Sequence, residues 1–153
     1  GIIIFSKSPK EGSSMAKIYT SAAQLIGNTP LLECTALEKA LQDLSWEEGN
    51  YARLAFLLLD APPHHNQEVM ESIRKSIETY AANGIKLIPI AASGIDKNTE
   101  FLLRLMAIFT DGTYVFITNH SGIGNDHIEP TIGQYQVELL NELIVRLIGE
   151  YTE

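Results

Sequence analysis

The segment Arg53-Leu-Ala-Phe-Leu-Leu-Leu-Asp60 is apolar without a break between two charged ends. A strand with one wet face alternates apolar and polar residues, so an unbroken run fits a strand covered on both faces, as in parallel sheets flanked by helices. Pro62 and Pro63 stop the run. Beyond them Asn66 can cap a helix with its side-chain oxygen, and Val69, Met70, Ile73, Ile77 and Tyr80 recur at helical spacing until Asn83-Gly84. Ile85-Lys-Leu-Ile-Pro-Ile-Ala91 reads as a second strand, in which Pro89 removes one ladder donor. Capping residues from Asp96 to Thr99 open the next helix, with Phe101, Leu102, Leu105, Met106 and Phe109 on one face and Asp111-Gly112 at its end. Thr113-Tyr-Val-Phe-Ile117 supplies a third strand. A last helix, Tyr135 to Gly149, turns Val137, Leu140, Ile144, Leu147 and Ile148 inward and Glu138, Glu142 and Arg146 outward. Three strand-to-helix units in succession predict an α/β protein with right-handed crossovers and one parallel sheet.

Upstream of Arg53 the organisation changes. Thr35-Ala-Leu-Glu38 is a capping box that predicts a helix from Ala36 to Leu44. Thr20 to Ile26 reads as a short helix closed by Gly27-Asn28-Thr29-Pro30, Ile2 to Phe5 as a short strand, and Ser6 to Ser14 as a polar linker. The 153 residues suit one domain, and 45% hydrophobic against 20% charged residues is the balance of a globular protein. Eleven basic and nineteen acidic side chains give a net charge of -8, a field that repels phosphate backbones and anionic lipid and argues against nucleic acid as a partner. The longest apolar run, Leu54 to Leu59, is far shorter than the roughly 20 residues of a membrane span. Gly1 to Phe5 is too short, and lacks the leading charge, for a signal peptide, so no export address is legible and the compartment stays open. Cys34 is the single cysteine, which excludes an intrachain disulfide and fits a small buried hydrophobe.

Loops leaving the carboxyl ends of parallel strands share one face of the sheet, and ligands bind there. In this chain they are Asp60-Ala-Pro-Pro-His64-His65, Ser93-Gly94-Ile95-Asp96 and Asn119-His120-Ser121-Gly122-Ile123-Gly124-Asn125-Asp126-His127. Asp60 follows six apolar positions directly, and a carboxylate there needs partners or a cation: a metal ligand on one reading, a helix cap or loop acceptor on the other. The His64-His65 pair looks like metal ligation and a zinc site is the minor reading; adjacent imidazoles need a third ligand to converge on one ion, so the preferred reading of this pair, as of His120 and His127, is solvated loop residues. Gly122-Ile-Gly124 begins like a phosphate loop, but His127 stands where its third glycine belongs.

Leu57-Leu-Leu-Asp60-Ala-Pro-Pro-His-His65, Gly84-Ile-Lys-Leu-Ile-Pro-Ile-Ala-Ala-Ser-Gly-Ile-Asp96-Lys-Asn-Thr99 and Asp111-Gly-Thr-Tyr-Val-Phe116 resemble bacterial von Willebrand factor A-type proteins, with Ser121-Gly-Ile-Gly-Asn125 and Ile128-Glu-Pro-Thr-Ile-Gly133 extending the likeness. It covers about residues 35–150. It implies a three-layer α/β/α, doubly wound, Rossmann-like fold with a metal-ion-dependent adhesion site on its top face, Asp60 standing at the family's later metal-coordinating aspartate. The family's Asp-x-Ser-x-Ser motif is not in the chain. The resemblance thus implies a truncated A-type domain over residues 35–153, with an incomplete site that would hold magnesium or manganese weakly.

Met15-Ala-Lys-Ile-Tyr19 and Gln24-Leu-Ile-Gly-Asn-Thr-Pro-Leu-Leu32 are similar to the amino terminus of cysteine synthase, a pyridoxal-phosphate enzyme. That likeness ends before the family's Schiff-base lysine and phosphate loop, so no catalytic residue carries over. The resemblances imply that residues 1–34 are a leader and a cysteine synthase-like segment without independent domain status, joined to the tail of an A-type domain in a spliced reading frame. The resemblances imply a non-enzymatic protein-interaction or adhesion module with a protein ligand; the alternative is an inactive cysteine synthase fragment. Truncation would leave one edge of the Arg53–Leu59 strand bare and open to self-association. Ile2 to Phe5 could fill it, and parallel pairing would bring Ser6 and Ser8 near Asp60.

Overall fold

The apolar run after Arg53 forms a strand, and the sheet is built outward from it. The structure, a computed structural model, describes residues 2–7, 17–21, 37–42, 46, 49, 51–59, 67–91, 95–117 and 138–153. In chain order the elements are β1 (Ile2–Lys7), β2 (Lys17–Ser21), α1 (residues 37–42), β3 (Ala52–Leu59), α2 (Gln67–Ala82), β4 (Ile85–Ala91), α3 (Lys97–Phe109), β5 (Val115–Phe116) and α4 (Leu140–Thr152). Five strands lie in the order β2-β1-β3-β4-β5. β3, β4 and β5 are parallel, which confirms an α/β arrangement with a three-stranded parallel centre.

Alternation along β3 and β4 feeds two cores. Ala55, Leu57, Leu59, Ile85 and Leu87 face α1, α2 and α3, and are covered by Leu37, Ile73, Ile77, Tyr80, Leu103 and Met106. Leu54, Phe56, Ile88 and Ile90 face α4 and are covered by Leu147, with Leu140, Ile144 and Ile148 alongside. Helices therefore cover both faces, the reason the sequence of β3 has no polar alternation. Leu58 departs from the expected double burial at 47% exposure.

The amino-terminal strand pairs with β3, but in the opposite sense to the one that would have completed the site. β1 runs antiparallel to β3, Ile2 opposite Leu57 and Ser6 opposite Arg53. Antiparallel ladders are slightly the more stable per residue. Ser6 thus pairs with Arg53 at the amino end of β3, six residues before the strand ends at Leu59. It does not imitate the missing serine motif, and Ser8 lies outside the described residues. The β3 edge is not bare: β1 takes it up along Ala52–Leu57, and β2 and β5 become the outer strands. The sheet is consequently mixed and not wholly parallel. Thr20 and Ser21 belong to strand β2, not to a helix, and residues 22–26 are outside the described set. Ser6 and Lys7, read as linker, extend β1.

Residues 37–42 confirm the expected helix in part, residue 36 and residues 43–44 falling outside the description. Glu38, expected to close a capping box, accepts the Ser72 hydroxyl from α2. Tyr80 donates its hydroxyl to Leu37 O at 3.1 Å, and Trp46 donates Nε1–H to Ala40 O at 3.0 Å while meeting the Tyr80 ring edge-on. These bonds fasten α1 to α2.

Two helices differ from their sequence readings. In α3 the buried residues are Thr99, Leu103, Met106 and Ala107, whereas Phe101 and Phe109 face solvent and Leu102 and Leu105 are half-buried. This helix is apolar nearly all round, and its small residues take the sheet side, where backbone approaches closely. α4 starts at Leu140 and runs through Gly149 to Thr152; Glu138 and Leu139 precede it and residues 135–137 are not described. Tyr151 explains the extension: it packs on the α4-side core and shares a 2.6 Å hydrogen bond with Thr113, contacts that outweigh the helix penalty of glycine.

β4 depends on the end of α3. Ala91 O accepts from Ile117 N at 2.9 Å, so the backbone groups of Ala91, and by alternation those of Pro89 and Leu87, point to the β5 side. β5 pairs only with Ile90 and Ala91. Below it the Leu87 N–H donates to Thr110 Oγ1 at 2.9 Å, while that hydroxyl donates to Met106 O at 2.8 Å. Pro89 has no N–H to satisfy, so the expected loss of a ladder bond does not arise. α3 closes in a Schellman motif, Gly112 N to Ala107 O and Asp111 N to Ile108 O, with Asp111 at φ 53°. A Cβ at Gly112 would lie 1.9 Å from Leu87 O.

Three stability changes follow, measurable by denaturant unfolding. Gly112→Ala costs on the order of 3 kcal/mol because β4 backbone must move. Thr110→Val costs about 1–3 kcal/mol by orphaning the Leu87 N–H, and Thr110→Ser retains most of it. Gly149→Ala, with nothing within 4 Å of the added methyl, stabilises by about 0.5–1 kcal/mol.

Candidate functional site

The parallel strands end level. Leu59 is in register with Ala91, and Ala91 with Phe116, so the chain leaves β3, β4 and β5 at one face. Asp60 is the next residue after Leu59 in sequence. Asp60, His64, His65, Ser93, Gly94 and residues 119–127 lie outside the described residues.

Two loop residues are described, and both are structural. Ile95 is buried in the α2–α3 core. Asp96, extended at φ -91° and ψ 172°, is the N-cap of α3, and its Oδ1 accepts the Thr99 N–H at 2.7 Å. Among the described residues no three His, Cys, Asp or Glu side chains gather as a metal-ligand set. The described residues therefore do not furnish a metal centre, and Asp96 already has a backbone partner.

Beneath this face Leu37, Leu57, Leu59, Ile73, Thr99, Leu102, Leu103 and Met106 enclose a cavity of about 10 Å³. It is the size of one water, yet a buried water needs two to four polar partners. Thr99 Oγ1, fully buried, is without a hydrogen-bond partner among the described residues. Among the described residues its lining is one hydroxyl and seven apolar side chains, which by themselves do not supply the partners a water needs.

The Tyr114 hydroxyl is the other buried group without such a partner. Arg104 lies 4.5 Å from the Tyr114 ring centre and pairs with Glu100 at 2.7 Å. Burial, reinforced by Glu100 and partly offset by Arg104, pushes the phenol up to about 12. Tyr114 therefore keeps its proton at neutral pH and cannot serve as a base. Sequence patterning placed Thr99 only among the helix-opening residues from Asp96 and Tyr114 only within an apolar strand, and gave neither hydroxyl a role. The available signal for Thr99 was its place three residues after a capping aspartate.

No family model, curated protein or solved structure matches the chain.

No helix among the described residues is long and apolar enough to cross a membrane.

Two outcomes test these assignments. Asp96→Ala lowers stability by about 1 kcal/mol while Asp96→Asn, which keeps the acceptor, stays close to the parent. A raised phenol pKa means the folded state holds its proton while the unfolded state loses it, so the stability associated with Tyr114 is present below pH 10 and falls between pH 10 and about 12. Tyr114→Phe reduces that alkaline loss in a pH series of unfolding curves.

Proposed function

We propose that this chain is a protein-interaction or adhesion module of the von Willebrand factor A type and not an enzyme, its ligand face lying at the carboxyl ends of β3, β4 and β5. The observation that carries the reading is the common level at which Leu59, Ala91 and Phe116 end the parallel strands. Such a face collects the loops that carry Asp60, Ser93 and Ser121, whose carboxylate and hydroxyls suit a polar or charged surface of a protein ligand. The burial of β3 up to Leu59, interrupted at Leu58, fits the same reading, because a carboxylate that follows such a strand in sequence needs partners or a cation.

Asp60 is the residue proposed to ligate magnesium or manganese. Affinity is weak on this proposal, since the Asp-x-Ser-x-Ser motif is not in the chain and Asp96 caps a helix. Ligand recognition accordingly rests on the loops themselves.

Thermal unfolding of the purified chain with and without about 5 mM magnesium or manganese tests the assignment of Asp60. A millimolar site stabilises the folded state by about 1 kcal/mol, a midpoint rise of roughly 2–4 °C. The rise is absent in Asp60→Ala. An unmoved midpoint, or a rise that survives Asp60→Ala, contradicts Asp60 as a metal ligand.

A further inference from the structure

Asn83 is the only asparagine of the sequence that a glycine follows. Such a pair is chemically labile, because glycine has no side chain to keep its own amide nitrogen from the preceding carboxamide. Both residues are exposed to solvent, in the turn that joins α2 to β4. The fold itself selects the glycine: Gly84 stands at φ 63°, the left-handed conformation that glycine adopts without penalty at the end of a helix.

The reaction needs a free Gly84 nitrogen, a free Asn83 carboxamide and room for one to reach the other. The native turn withholds all three. Gly84 N–H donates to Ala81 O at 3.0 Å, and Asn83 N–H donates to Thr79 O at 3.1 Å. The carboxamide is turned back along α2, its Nδ2 donating to the same Thr79 O at 2.8 Å. Arg53 donates from Nη1 to Asn83 O and from Nη2 to Gly49 O, each at 3.3 Å, so both polar atoms of the Asn83–Gly84 peptide are engaged and the turn is tied to the start of β3.

We propose that Asn83 is a site of intramolecular deamidation that the native fold holds closed and that opening of the α2–β4 turn exposes. In the open turn Gly84 N gives its proton to solvent and bonds to Asn83 Cγ. The Cγ–Nδ2 bond breaks, and that nitrogen takes a proton from solvent and leaves as ammonia. Water then opens the resulting succinimide at one of its two carbonyls, leaving an aspartyl or an isoaspartyl linkage. Neither product restores the native turn. A carboxylate has no donor for Thr79 O and lies at the negative end of α2. An isoaspartyl linkage adds a backbone carbon just before β4, where Ile85 pairs in register with Arg53. A chain that stays open is thereby marked irreversibly. The site is independent of the loop face and of any metal there.

Incubation of the whole chain in mildly alkaline buffer, folded or in urea, tests this. Trypsin releases Ser76–Lys86 for mass spectrometry and for chromatographic separation of the aspartyl and isoaspartyl forms. In urea Asn83 is expected to convert, and in the folded chain to convert at least about tenfold more slowly, since only the open fraction reacts. Arg53→Ala, which releases the Asn83 carbonyl, speeds the folded reaction about two- to tenfold, the worth of one hydrogen bond, and leaves the rate in urea unchanged. Asp96→Ala, which weakens the fold elsewhere, leaves the folded rate at its parent value, as the turn opens without the rest. The comparison of folded and urea samples uses the parent chain and does not depend on how Arg53→Ala folds. No conversion in urea, a folded rate equal to the unfolded one, an Arg53→Ala rate at the parent value, or an Asp96→Ala rate raised as far as that of Arg53→Ala overturns the proposal.

Discussion

Between Ile85 and Ala91 the chain is covered on both faces, so the peptide groups of β4 have to find their partners sideways. On one side the partner is β3, paired in register from Arg53 to Leu59. On the other, β5 reaches only Ile90 and Ala91, and the Leu87 N–H is met by a threonine hydroxyl from the end of α3. This requirement fixes where α3 stops and how close its last turn comes to the sheet. It also gives Pro89 its place, at a position where a donor would have no strand to receive it. The cap at Asp96 and the turn at Gly112 then hold the two ends of a helix whose middle packs through Leu103, Met106 and Ala107.

Much of the parallel centre was legible because double burial leaves a mark that single residues do not. The apolar run of β3, the spacing of Val69, Ile73, Ile77 and Tyr80, and the stop at Asn83-Gly84 each have a direct structural counterpart. Where the pattern was less discriminating, the reading went astray. α3 is apolar on most of its circumference, so periodicity could not tell the Leu103–Met106 face from the Phe101–Ile108 face. Small Thr99 and Ala107 carried the answer, but hydrophobicity does not measure how closely a backbone can approach. The sense of β1 was equally hidden, since the same side chains suit either direction, and the pairing depends on chain entry and ladder geometry. Gly149 looked like a helix end, yet the hydrogen bond of Tyr151 with Thr113 lies two residues beyond it.

The candidate site shows a similar division. What was legible is that the parallel strands end together, Leu59 beside Ala91 and Ala91 beside Phe116. The role of Asp96 was half legible, as a possible cap within a loop rich in polar groups, and the Thr99 N–H decides for the cap. Tyr114 was hidden by its apolar neighbours, and the burial of Thr99 by the polar residues Asn98 and Glu100 on either side of it.

All of this rests on β4 as the closed centre of the sheet, and native-state amide hydrogen exchange of the whole chain probes that most directly. The Leu87 amide faces away from β3 and beyond the reach of β5, so in an ordinary edge it would exchange through small local openings. The account predicts that Leu87 exchanges as slowly as Ile88 and Ile90, whose amides bond to β3, and that all three report the same global unfolding. A Leu87 amide that exchanges much faster than Ile88 would contradict it, showing that Thr110 does not close the edge of β4.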